Sequence, residues 1–169
     1  MRLAYTLDDQ FDSYTDALQL NCLEYELYLN EQGKTENSKF RTSTQSEPAA
    51  PNATLVRVLP GTRDPVGLLY ALRAADWQHI AEFRAPTFDG HRIYDVRAKV
   101  EVPSGQVTVP AGQFTATRIA IHISERGSEL QDTRFWLWLA HDAARTPVLI
   151  EAEVPFGTAR IELLQMPRH

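Results

Sequence analysis

Two stretches decide how this chain folds: FTATRIAIHIS at residues 114–124 and RFWLWL at residues 134–139. In the first, alternation places Thr117, Ile119, Ile121 and Ile123 on one face of a strand, a pattern typical of one-sided burial. In the second, Phe135, Leu137 and Leu139 alternate with Trp136 and Trp138, so both faces of that strand require cover. A single helix can cover only one of these faces, and an indole wall on the remaining face is typical of a concave surface that is lined for a ligand.

Turn residues divide the rest of the chain into short strands. Strands are predicted at residues 20–29, 35–43, 54–59, 80–84, 92–102, 107–109, 148–154 and 158–164. The turns between them include NEQGK at residues 30–34, PSG at 103–105, PAG at 110–112 and PFG at 155–157. Because short turns join antiparallel neighbours, the pattern predicts a mainly β antiparallel meander within one domain, residues 1–169.

One short helix is predicted at about residues 65–75. Asp64 is placed to accept hydrogen bonds from the first turn, and Pro65 stands where its missing amide proton costs nothing. Leucine and valine side chains then recur at helical spacing. A helix this short needs to pack on the sheet.

Composition excludes several classes of protein. The formal net charge of -5 disfavours a nucleic-acid partner, since it repels phosphate. Cys22 is the single cysteine, so an internal disulfide is excluded, and we expect it to pack in a strand as a small hydrophobe. The first residues are too polar for a signal peptide, which keeps a cytoplasmic location as an alternative. Since 18 consecutive apolar residues never occur, we expect a protein that does not span a membrane.

Trp136 and Trp138 are the candidate ligand-binding residues, as an apolar wall beside a pocket. Packing in the core is the alternative role, and it is the more common one for buried aromatic residues. Arg118 and His122 share a strand face and are weaker candidates for an anion site.

Signals of catalysis and of cofactors are weak. His141, Asp142 and Arg145 form a turn, and we expect Asp142 to cap that turn rather than to act as an acid or base. Glycine-rich phosphate-binding strings are missing, and the five histidines lack the spacing of a metal site: His79, His91, His122, His141 and His169. We therefore expect neither a metal nor a cofactor, and no enzyme activity.

Three strings resemble a bacterial family of exported proteins known as domain of unknown function 3108. They are DPVGLLYALR at residues 64–73, VTVPAGQFTATRI at 107–119 and FWLWLAHDAARTPVLIEAEVPFGTARIELL at 135–164. The resemblance is strongest over residues 64–164, which is the C-terminal portion of the chain. It implies a periplasmic or cell-envelope location and a curved half-barrel similar to lipoprotein carriers, and it implies no enzyme activity. Family members carry an export signal and additional N-terminal strands that are not seen in this chain, which would leave a sheet edge open.

Two functional hypotheses follow. The first is a non-catalytic envelope protein whose curved sheet shelters an apolar small molecule or lipid beside Trp136 and Trp138. The second is an assembly module that forms a homo-oligomer through an open edge strand near residues 20–29. A hydrolase that uses His141 and Asp142 ranks last.

Overall fold

The computed structural model describes residues 9–31, 34–45, 52–125, 128–129, 134–154 and 157–166. In chain order, the elements up to the helix are β1 Gln10–Thr15, β2 Cys22–Glu31, β3 Lys34–Ser43, β4 Thr54–Arg57 and α1 Pro65–Ala74. The strands after the helix are β5 Phe83–Phe88, β6 Ile93–Val109, β7 Gly112–Glu125, β8 Ser128–Glu129, β9 Arg134–Ala140, β10 Pro147–Val154 and β11 Gly157–Glu162. The protein is therefore mainly β with one short helix, as predicted. The turns predicted at residues 30–34 and 155–157 lie partly outside the described residues.

The strands form two sheets. One sheet has the order β1-β2-β3-β4, and the other has the order β11-β10-β9-β7-β6-β5, with β8 paired to β7. The prediction of antiparallel neighbours is confirmed for most pairs, but β3 and β4 are parallel. The curvature of a half-barrel and the single domain over residues 1–169 stay predictions.

The chain divides into two compact units, Met1–Ala71 with Pro86–Ile93 and Leu72–Ala85 with Tyr94–His169. In the first unit, Cys22, Tyr25 and Leu27 form a buried cluster against which Phe40 packs. The Cys22 side chain is 4% exposed, which confirms it as a small core hydrophobe. Leu23 is 50% exposed, although regular alternation would place it on the same face as the buried Tyr25. A register shift explains the difference, because Tyr14 pairs with Glu24 and Thr15 with Cys22, so Leu23 is an extra residue.

The predicted open edge near residues 20–29 is wrong. β2 pairs with β1 on one side and with β3 on the other, so it lies inside its sheet. β1 had not been predicted as a strand, because its residues QFDSYT include exposed polar side chains and lack a clear alternation.

The prediction of the helix start is confirmed. Asp64 Oδ1 accepts hydrogen bonds from the backbone amides of Val66 (3.0 Å) and Gly67 (2.9 Å). The Ser13 hydroxyl donates to Asp64 Oδ2 at 2.8 Å, which occupies the second oxygen of this fully buried carboxyl. The helix therefore begins at a buried cap that also contacts β1.

In the second unit, the predicted turn at Pro103–Ser104–Gly105 is wrong. β6 is a continuous strand of 17 residues that includes these three. Its pairing with β7 is irregular between Val100 and Val102 and between Val102 and Gly105. Proline and glycine here mark bulges rather than a chain reversal, which suits residues that interrupt pairing locally. Similarly, the sequence predicts a strand at residues 80–84, whereas β5 begins at Phe83 and runs through Pro86 to Phe88.

Candidate functional site

A pocket in the second unit is lined by residues from β6, β7, β9, the turn after β9 and the segment after α1. Its volume is about 350 Å³, and its lining residues are Trp77, Gln78, Val100, Pro103, Thr117, Leu139, Ala140, His141, Asp142 and Arg145. We call it the Trp77 pocket. Pairing explains part of its floor, because Thr117 lies directly opposite Leu139 and therefore on the same sheet face.

Trp77 contributes an aromatic side chain to the apolar wall. It lies just beyond α1, and its indole Nε1 donates to the Leu72 carbonyl at 2.9 Å, which fixes the ring relative to the end of the helix. Its ring also lies 6.4 Å from that of Phe83. The other apolar side chains of the pocket come from Val100, Pro103, Leu139 and Ala140.

A hydroxyl and an imidazole meet in the pocket. Thr117 Oγ1 lies 2.9 Å from His141 Nε2 and 2.9 Å from the Pro103 carbonyl oxygen. Because a hydroxyl has one proton, donation to the carbonyl leaves His141 Nε2–H as the donor to Thr117. This arrangement does not remove the hydroxyl proton, so it differs from that of an activated nucleophile.

Asp142 caps the turn, as predicted, and does not orient His141. Its Oδ1 accepts from the Thr146 amide at 2.9 Å. Partial burial raises the pKa of Asp142, but hydrogen bonds from the Thr146 hydroxyl and from the amides of Thr146, Ala144 and Arg145 outweigh it, so the net pKa is lowered. The carboxylate is therefore ionised and fully used by its own loop.

Arg145 connects the same turn to the end of α1. Its Nη1 donates to the Arg73 carbonyl at 3.1 Å and to the Ala75 carbonyl, while Arg73 Nη2 donates back to the Ala144 carbonyl at 2.9 Å. A cation at the last carbonyls of a helix is stabilising. Arg145 therefore holds the Trp77 segment against the turn that follows β9.

Trp136 and Trp138 are not among the residues that line this pocket. Trp136 is 9% exposed, and the guanidinium of Arg118 lies over both rings, 4.5 Å from the Trp136 centroid and 5.6 Å from that of Trp138. Trp138 Nε1 donates to Glu151 Oε2 at 2.9 Å. Arg118, a candidate from the sequence for binding an anion, forms an ion pair with the carboxylate of Glu101 at 3.2 Å. A ligand-binding role for the two indoles stays a prediction.

Among the described residues, no three histidine, cysteine or acidic side chains are grouped so that they could hold a metal ion. In the same part of the chain, none of the helical segments has the length and apolar character that a membrane crossing requires.

Fold and pocket together define a mainly β protein with a small, partly apolar pocket over one sheet face. The family model described as "Protein of unknown function (DUF3108)" matches residues 1–164, and the chain belongs to this family. The match extends over almost the whole chain, so the restriction of the resemblance to the C-terminal portion was too narrow. No curated protein and no solved structure matches the chain.

Proposed function

We propose that this protein is a non-catalytic binding protein of the cell envelope, and that the Trp77 pocket shelters an apolar chain such as the acyl part of a lipid. The observation that carries the proposal is the composition of the pocket. Trp77, Val100, Pro103 and Leu139 supply apolar surface, and Thr117 with His141 supplies a polar group for the head of an amphipathic ligand. Ligand sites commonly combine a largely apolar lining with few polar groups.

The volume supports a small ligand. About 350 Å³ is near the lower end of the range of roughly 300–1,000 Å³ that is typical of ligand sites. A single acyl chain or its end fits this size better than a whole phospholipid. Each methylene group removed from water contributes about 0.8 kcal/mol, so a short chain gives measurable affinity.

The polar contacts support binding rather than catalysis. Asp142 is engaged by its own loop, Arg145 by the carbonyls of α1, and Thr117 by the Pro103 carbonyl. A hydrolase would need one of these groups to activate a nucleophile and another to orient the base. We expect the rate of p-nitrophenyl ester hydrolysis to be the same for the wild type and for His141→Ala, and a rate that the substitution abolishes would contradict the non-catalytic proposal.

Tryptophan fluorescence tests where the ligand binds. A variant with Trp136→Phe and Trp138→Phe keeps Trp77 as its single tryptophan, and the Trp77→Phe variant keeps the other two. Titration with decanoate should shift the emission of the first variant to the blue and leave that of the second unchanged. A shift confined to the Trp77→Phe variant would favour the wall predicted at Trp136 and Trp138, and no shift in either variant would refute ligand binding at both places.

A filled pocket provides the matched control. Val100→Phe should occupy the volume beside Trp77 and abolish the shift, whereas Val56→Phe enlarges a half-buried valine outside the pocket and should preserve it. Both variants should be compared by circular dichroism first. Equal loss of binding in both would indicate a general effect on folding and would contradict the assignment of the pocket.

The envelope location is supported by the family resemblance. Expression of the complete native gene with a C-terminal tag, followed by osmotic shock, should release the protein with the periplasmic or membrane fraction. Recovery of the tagged protein with the cytoplasmic fraction would refute the proposed location.

A further inference from the structure

β11 lies at one end of the strand order of the seven-stranded sheet, and β5 lies at the other. Among the residues that the structure describes, β11 is hydrogen-bonded as a strand to β10 alone. Its Ile161 side chain is 69% exposed, and Leu164 just beyond it is 74% exposed. A strand edge with exposed apolar side chains is a surface on which another strand can pair.

The register of β11 determines which backbone groups remain available. Leu163 N donates to the Val148 carbonyl at 3.0 Å, in the same register that pairs Ile161 with Ile150. Since backbone groups alternate in direction along a strand, those of Ala159 and Ile161 point toward β10. The amide and carbonyl groups of Thr158, Arg160 and Glu162 therefore point away from the sheet.

Charge selects one arrangement of two copies of this edge. Antiparallel pairing about a two-fold axis at Arg160 or at Glu162 would place identical charges opposite each other, which is destabilising. An axis at Ile161 instead places Arg160 of each copy opposite Glu162 of the other, and Ile161 opposite Ile161. This arrangement also pairs the outward backbone groups of both strands with each other.

We propose that the protein forms a homodimer in which β11 of one copy pairs antiparallel with β11 of the other, with the two-fold axis at Ile161. Arg160 already lies 3.1 Å from Glu162 and 3.9 Å from Glu151 on its own face. Glu162 of the second copy extends this network across the edge. Cross-strand pairs of opposite charge stabilise antiparallel sheets, and closed two-fold pairing removes both open edges.

Sedimentation velocity over a wide concentration range tests the dimer and its register. The wild type should show a reversible monomer–dimer equilibrium. Arg160→Glu and Glu162→Arg should each be monomeric, because each puts like charges opposite each other. The double variant that carries both changes should dimerise again, and an equimolar mixture of the two single variants should form a heterodimer.

Two further variants separate pairing from folding and from net charge. Arg160→Pro removes an outward amide that makes no hydrogen bond to β10, so it should abolish the dimer without unfolding the sheet. Arg134→Glu makes the same charge change on the inner strand β9 and should leave the dimer intact. A wild type that stays monomeric, a dimer that survives Arg160→Glu, or a mixture that fails to associate would each overturn the proposal.

Discussion

Arg118 shows how one side chain can satisfy a strand that is apolar on both faces. Its guanidinium covers Trp136 and Trp138, and its charge is met by Glu101. A planar guanidinium stacks on aromatic faces and is more weakly hydrated than an ammonium group, so it is well suited to this position. The two indole rings are thus shielded from solvent in part by a charged side chain.

Replacement of Arg118 should reveal that contribution. We expect Arg118→Ala to lower the free energy of unfolding by roughly 1–2 kcal/mol and to shift the tryptophan emission to the red. Arg118→Lys should recover less than half of the loss, because it keeps the charge but not the planar group over two rings. Urea denaturation followed by fluorescence measures both effects, with Arg134→Lys on β9, the strand that carries the two tryptophans, as the control. A lysine variant as stable as the wild type would show that charge alone is required.

The buried carboxyl of Asp64 links two elements of the fold. It caps the start of α1 and accepts a hydrogen bond from Ser13 on β1. Asp64→Ala should lower the free energy of unfolding by about 2–4 kcal/mol, because it removes a helix cap and takes away the acceptor of the half-buried Ser13 hydroxyl. Asp64→Asn keeps an oxygen for the helix amides and should cost less. Chemical denaturation monitored by circular dichroism provides the comparison, and equal losses for alanine and asparagine would contradict the capping role.

At the scale of elements, the turn before β6 depends on a glycine. Gly90 has φ +102°, and a Cβ atom there would lie 2.5 Å from Leu27 Cδ1 and 3.2 Å from Phe40 Cε2. Gly61 also has positive φ, +83°, but has nothing within 4 Å of that position. Both alanine substitutions carry backbone strain, and only the one at Gly90 collides with the core.

Comparison of the two alanine variants therefore isolates the collision. Gly61→Ala should cost about 1 kcal/mol, from its backbone conformation alone. Gly90→Ala should cost an additional 1–3 kcal/mol or so, since Leu27 is buried and has little freedom to move. Thermal unfolding of the two variants in parallel gives the difference, and equal melting temperatures would show that the core gives way without cost.

Most strands were predictable from the sequence because alternation and turn residues are local signals. The errors are equally informative. β6 runs through Pro103 and Gly105 because its pairing with β7 accommodates bulges at this point. A local sequence pattern does not distinguish such a bulge from a turn. The parallel pairing of β3 with β4 depends on contacts between separate segments and leaves no local trace.

For the molecule as a whole, the Trp77 pocket was the harder feature to predict. The sequence drew attention to His141, Asp142 and Arg145 as a turn and to Trp136 and Trp138 as a wall. The pocket instead combines that turn with Trp77, which follows the helix, and with Val100 on β6. These residues meet only through the pairing of β6, β7 and β9 and through the contact of Arg145 with the end of α1.

The stability of the whole protein should depend on pH in two directions. The pKa of the Asp76 carboxyl is lowered, chiefly by the hydrogen bond from His79, and that of Glu82 is lowered by Lys99 and Arg84. A lowered folded pKa contributes stability that is present above the unfolded value and is lost as the pH falls. The buried thiol of Cys22 and the buried hydroxyl of Tyr25 have raised pKa values, so they contribute stability that is lost as the pH rises.

Burial, and then the neighbouring Asp64 charge, raises the pKa of Cys22 from 9.0 to about 12, and burial also raises that of Tyr25 above its ordinary 10.0. Above pH 9 the unfolded thiol ionises while the folded thiol keeps its proton, so the free energy of unfolding should fall with a slope that approaches about 1.4 kcal/mol per pH unit. Between pH 9 and 10, Cys22→Ala should flatten most of this fall and Tyr25→Phe only a minor part of it, because the ordinary pKa of the phenol, 10.0, lies at the upper end of this range. Urea denaturation at closely spaced pH values measures the slope, and an unchanged fall in Cys22→Ala would show that the thiol ionises in the folded protein as readily as in the unfolded chain.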